Sequence, residues 1–158
     1  MRSKINPPPE KRDLDLGFET GFGIEFAVSG KTTGSKKIVM GYTLMPPGAR
    51  NQAHVHNNVE VIWHLLSGHN THLSGSEETN DFKSTDCDPG TFGYVGKGEI
   101  HVGINRSDTE PGEVIFCYAG TNEKEGAGTV WVDPPSVVVE HLAARGLTLD
   151  ELDLETRT

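Results

Sequence analysis

Between Phe18 and Trp131 the chain is cut into short apolar runs, GFGIEFAV, KIVMGYTLM, VEVIWHLL, TFGYV, IHVGIN, EVIFCYAG and TVWV, and no helix-period segment interrupts the series. The connections SGKTTGSKK, PPGAR, NN, SGSEETND, DPG and GKGE place Gly, Pro, Asn or Asp where tight turns want them. Many short strands at such spacing fold as a sandwich or barrel. Glycine, at 19 of 158 residues, is about twice its average usage, which agrees with an all-β chain rich in turns. The length supports one core rather than two.

The ends differ in character. Residues 1–17 combine three consecutive prolines with mixed charges and read as an N-terminal arm, ordered against a partner subunit; residues 18–133 form the barrel. Residues 134–158 read as a short C-terminal helical tail closing one barrel end, in which Ser136 caps VVVEHLAAR, Gly146 ends it, and Thr148 with Glu151 forms a capping box.

A formal net charge of −9 argues against a nucleic-acid or anionic-membrane partner, since both demand a basic face. No run approaches the ~20 apolar residues of a membrane span, and MRSKINPPPEKR lacks the apolar core of a signal peptide, so the expectation is a soluble, cytoplasmic protein with a small-molecule partner. Two cysteines give no disulfide framework. Cys117 alternates like a core strand residue, and Cys87 in STDCDPG reads as a free loop thiol without a neighbouring base.

The chemistry concentrates in GARNQAHVHNNVEVIWHLLSG, Gly48 to Gly68. His54 and His56, two apart on a strand, leave the same face and can converge on one ion. Asn57 and Asn58 favour a turn that brings Glu60 back beside them, and two imidazoles with one carboxylate form a facial set suited to a first-row divalent metal. In GTFGYVGKGEIHVGIN, Gly90 opens a strand, Gly96 and Gly98 turn, and His101 begins the return as a fourth ligand.

These residues resemble the cupin superfamily, whose motifs read G-x5-H-x-H-x3,4-E-x6-G and G-x5-P-x-G-x2-H-x3-N. Gly48, His54, His56 and Glu60 match the first, and Gly90, Gly98, His101 and Asn105 the second. Seven residues rather than six separate Glu60 from Gly68, and Gly96 stands where the family has proline. A bulge can absorb the extra residue, and glycine can take the turn. The resemblance covers roughly residues 38–120 and implies a double-stranded β-helix, or jelly-roll barrel, of the small single-domain kind, with one divalent transition metal ion: Fe(II) first, Mn(II), Ni(II) or Zn(II) as alternatives. It also implies a Glu60 that moves between ligand and base, and pairing into a homodimer through a barrel edge.

Three imidazoles and one carboxylate leave a divalent site near +1, which favours an anionic or enolisable substrate. Arg50 and Gln52 share the alternation of the ligands and aim at the barrel mouth, where Arg50 can hold a carboxylate. His64 shares the parity of Glu60 and reads as a core histidine or an acid/base group. Tyr94 is a further lining candidate, although it and Trp63 read first as core or interface aromatics. Gly103 leaves space near the metal. His69 and His72, three apart, leave opposite faces and make poor partners for a second metal, with at least one facing solvent. The leading expectation is a dioxygenase acting on a small oxygen-bearing molecule; the alternatives are a lyase, decarboxylase or isomerase, or a binding module without turnover.

Overall fold

The computed structural model describes residues 4–5, 11–19 and 21–147. In chain order the strands are β1 (Gly23–Val28), β2 (Ile38–Met45), β3 (His54–His56), β4 (Glu60–Ser67) and β5 (Asn70–Gly75). There follow β6 (Lys83–Cys87), β7 (Phe92–Val95), β8 (Ile100–Asn105), β9 (Gly112–Ala119) and β10 (Thr129–Trp131). Two antiparallel sheets result, in the orders β1-β2-β9-β4-β7 and β10-β3-β8-β5-β6. This is the expected all-β double-stranded β-helix, with a helix α2 (Ser136–Ala144) after it.

The first sheet obeys the usual alternation. On β9, Val114, Phe116 and Tyr118 are buried, whereas Glu113, Ile115 and Cys117 are less so. Cys117 therefore sits half-buried on the outer face rather than in the core. On β4, Val61 and Leu65 point inward while Glu60 and Ile62 are exposed. A bulge does occur in β4: Leu65 pairs with Val114 and Ser67 with Glu113, so two residues oppose one.

The second sheet is inverted. His54, His56, Asn70, His72, His101 and Gly103 face the interior, while Val55, Leu73, Ile100, Val102 and Ile104 join a separate apolar cluster with Val138 and Leu142 of α2. Helix α2 thus covers the outside of this sheet instead of closing a barrel end. Burying Val138 and Leu142, 3% and 1% exposed, contributes about 1.5–3 kcal/mol each. An apolar outer face roofed by a helix leaves the inner face free to carry imidazoles.

Several local expectations are revised. NTHLSG and KSTDC are strands β5 and β6, masked in sequence because β5 turns Asn70 and His72 inward and β6 is an exposed edge. Cys87 is no loop thiol: it ends β6, is 2% exposed, and donates to the Thr85 carbonyl. The connection after β1 holds a single helical turn, α1 (Gly30–Thr33), capped by Ser29, whose Oγ accepts from the amides of Lys31 and Thr32. In α2 the cap is Pro135 rather than Ser136, and Gly146, at φ 71°, follows its end. Within the arm, Asp15 exchanges both backbone hydrogen bonds with Ile24 of β1. The arm prolines Pro7, Pro8 and Pro9 and the Thr148–Glu151 capping box lie outside the described residues. Among the described residues no helix is long and apolar enough to cross a membrane.

Candidate metal centre

Strand β3 puts His54 and His56 on its inner side, and β8 brings His101 into cross-strand register with His54. Ring centroids lie 4.1 Å apart for His54–His101, 4.9 Å for His54–His56 and 5.2 Å for His56–His101. One ring nitrogen of each falls within 4.8 Å of the other two. The opposite nitrogens are engaged. Nδ1 of His54 lies 2.8 Å from the Gln52 carbonyl and Nδ1 of His101 3.1 Å from the Glu99 carbonyl, the same two-residue device used twice. Nδ1 of His56 is 2.9 Å from Thr129 Oγ1 on the neighbouring β10.

A carbonyl only accepts, so Nδ1 of His54 and of His101 donates, and Nε2 is the nitrogen left to face a ligand. Burial, with the charge of His54 second, lowers the pKa of His56 to about 3. Burial, then His54, His56 and His72, pushes His101 well below the ordinary imidazole value. Buried imidazoles that resist protonation, as His56 and His101 do, fit a first-row divalent ion, whose ligands must be deprotonated.

Glu60 does not join them. It stands on the outer face of β4, where its carboxylate accepts a hydrogen bond of 2.7 Å from the hydroxyl of exposed Tyr94. This corrects its assignment as ligand and base. The physical reason is register, since a one-residue offset in a strand exchanges its faces. With four intervening residues after His56 rather than three, the motif position falls on Val61, which has six residues between it and Gly68 and lines the cavity. The seven-residue gap to Gly68 was the signal. The motif glycines Gly48, Gly68, Gly90 and Gly98 all adopt positive φ.

Glu19, which nothing in the sequence singled out, brings a carboxylate into the site instead. It is 7% exposed, its Oε1 lies 3.5 Å from His54 Nε2, and its Oε2 accepts from Asn51 Nδ2 at 3.0 Å. Asn51 is itself fixed, because its Oδ1 accepts from the Gly103 amide at 2.7 Å.

The histidines open into a cavity of about 90 Å³ walled by both sheets. Phe22, Trp63, Phe116 and Tyr118 supply aromatic surface. Two glycines seat that wall: a Cβ on Gly93 would fall 2.0 Å from the Trp63 ring, and one on Gly41 2.4 Å from Phe116. Gly103 lines the cavity, but the space beside it is taken by Phe22, 3.4 Å from where a Cβ would stand. Tyr118 packs on His56 with centroids 4.9 Å apart, and burial, with the charge of Glu19 second, raises its phenol well above the usual value.

None of the four proposed lining residues reaches the cavity. Residues 51–53 form no strand, so the alternation assumed for Arg50 and Gln52 breaks; Asn51 faces inward, and Gln52 contributes its carbonyl to His54. His64 and Tyr94 share the outer face with Glu60, and His64 stacks on Phe92 at 4.1 Å. Their places are taken by Trp63, expected in core or interface, and by His72. Burial, with the charge of His54 second, holds the pKa of His72 at about 4. Its Nε2 and Trp63 Nε1 are buried without a hydrogen-bond partner. His69 faces outward and pairs with Asp88.

No protein-family model matches this sequence, and no curated protein matches it. Solved structures match at the level of fold. Peruvianin-I, a cysteine peptidase from Thevetia peruviana latex, gives a TM-score of 0.64 at 14% identity, over 78% of this chain and 74% of its own. Recombinant oxalate oxidase in complex with glycolate gives 0.63 at 17%, over 87% and 73%. Oxalate decarboxylase from Bacillus subtilis gives 0.64 at 18%, over 90% of this chain and 37% of its own.

Proposed function

We propose that this chain, which has the fold of a single-domain cupin, is a metal-dependent enzyme acting on a small anionic, oxygen-bearing organic molecule, as a dioxygenase with Fe(II). The observation that carries the reading is the convergence of three buried imidazoles on a cavity of about 90 Å³ with aromatic walls. A cavity of that size with a few polar groups suits a small acid. His54, His56 and His101 would hold the ion, which would supply Lewis acidity toward a substrate oxygen and, as Fe(II), redox chemistry with dioxygen.

The chain's own groups do the rest. Phe22, Trp63 and Phe116 keep water from the bound acid. Trp63 Nε1 offers a buried donor to a substrate oxygen and Asn70 Oδ1 a buried acceptor to a substrate hydroxyl, so the substrate completes bonds that the protein leaves open. A second reading, a lyase, decarboxylase or isomerase using Mn(II), Ni(II) or Zn(II), draws support from the fold shared with oxalate decarboxylase. Peptidase chemistry like that named for peruvianin-I finds no support, because burial raises both the Cys87 and Cys117 thiols.

The test is dioxygen uptake by Fe(II)-loaded protein offered a panel of small hydroxy, keto and dicarboxylic acids. Uptake with one of them, absent in His54→Ala, supports the dioxygenase. Turnover that needs no dioxygen moves the assignment to the second reading, and saturable binding without product refutes an enzyme of either kind.

A further inference from the structure

Resting on the reading of His54, His56 and His101 as a metal centre, we propose that Glu19 is its carboxylate ligand, delivered by the segment that precedes β1 in place of a strand carboxylate. The position a strand carboxylate would take is held by Val61, which cannot bind an ion. Glu19 lines the same cavity from the chain's N-terminal side and is nearly inaccessible to solvent.

Its surroundings call for a cation. Nδ1 of His54 donates to the Gln52 carbonyl, which leaves its Nε2 turned to the carboxylate oxygen Oε1 across 3.5 Å. A carboxylate held away from water is costly without a cation beside it. The other partner, the Asn51 amide, is neutral and holds Oε2 at 3.0 Å, orienting the carboxylate without neutralising it.

The placement is also built from both sides. Before Glu19, Asp15 pairs with Ile24 through the backbone and with Lys124 through its side chain, and Phe18 packs edge-on against Phe26 at 5.1 Å. After it, Gly21 adopts φ 86° and passes so close to Arg50 that a Cβ would lie 2.3 Å from the Arg50 carbonyl oxygen. Only glycine allows this approach, and it steers the chain from the site into β1. A ligand on this segment makes metal retention depend on the docking of the stretch that precedes β1.

The experiment is competition titration of Mn(II) against a chromophoric chelator in the full chain, with the visible spectrum of the Co(II) form as a second readout. Glu19→Gln should weaken Mn(II) binding at least about tenfold and alter the Co(II) spectrum, with Glu19→Asp recovering part of both, while Glu60→Gln changes neither. Wild-type affinity and spectrum in Glu19→Gln would overturn the proposal, as would the loss appearing in Glu60→Gln instead. His101→Ala separates the two levels: if it too binds like wild type, the metal centre itself is refuted. Should Glu19→Gln not fold, wild-type crystals soaked in Mn(II) decide the matter by showing the ion bonded to Glu19 or Glu19 turned away from it.

Discussion

A metal-ligating imidazole is defined as much by the nitrogen that does not bind as by the one that does. Thr129 shows how this can be tested, because its hydroxyl is the partner of His56 Nδ1 at 2.9 Å. Thr129→Val keeps the shape of the side chain and removes that partner; metal affinity should fall about 10–100-fold with the fold intact, measured by chelator competition. Protonation provides a second test at this scale. His56 and His72 titrate at about 3 and about 4 in the folded chain, against about 6.5 when unfolded. Below pH 6.5 the unfolded chain binds more protons, so the metal-free protein should lose stability as pH falls through that window and show no such loss above it. The slope is at most ~1.4 kcal/mol per pH unit for each histidine. Urea midpoints that stay level from pH 7 to pH 5 would contradict this. The three histidines were legible because strand parity and motif spacing agreed on them. Glu19 was not, because its segment has neither strand period nor motif, and only the folded chain shows where a non-repetitive stretch points.

At the scale of elements, the wall of the cavity depends on strands passing close together. Gly93→Ala would place a methyl 2.0 Å from the Trp63 ring, so the indole must move. The expected result is a protein that folds but has altered Trp fluorescence and weaker capture of small acids; an unchanged emission spectrum would show that the ring does not rest on Gly93. Leu142→Ala tests the roof over the inverted sheet and should cost about 2–5 kcal/mol in urea denaturation, since the leucine is 1% exposed. Most strands were readable from alternating apolar residues between turn signals. β5 and β6 were not, because a strand that feeds Asn70 and His72 into a polar interior and an edge strand exposed on most of its length both lack that alternation. The side of the barrel covered by α2 was equally hidden, since the apolar residues of β8 look the same whether they face inward or outward.

For the whole molecule, the outer face of the first sheet presents Met40, Ile62, Phe92 and Tyr94 at 40%, 52%, 79% and 59% exposure. Adjacent apolar side chains of this kind suit a homodimer, which light scattering should report as twice the 17.1 kDa chain mass at micromolar concentration. A monomeric mass would remove that expectation and leave the metal centre untouched. The molecule as a whole is arranged around an inward-facing row of imidazoles that its inverted second sheet makes possible. Elemental analysis of protein purified without chelator addresses this most directly, performed on wild type and on folded His101→Ala. The prediction is one divalent transition metal ion per wild-type chain and almost none in the variant. Equal metal content in the two proteins would contradict it.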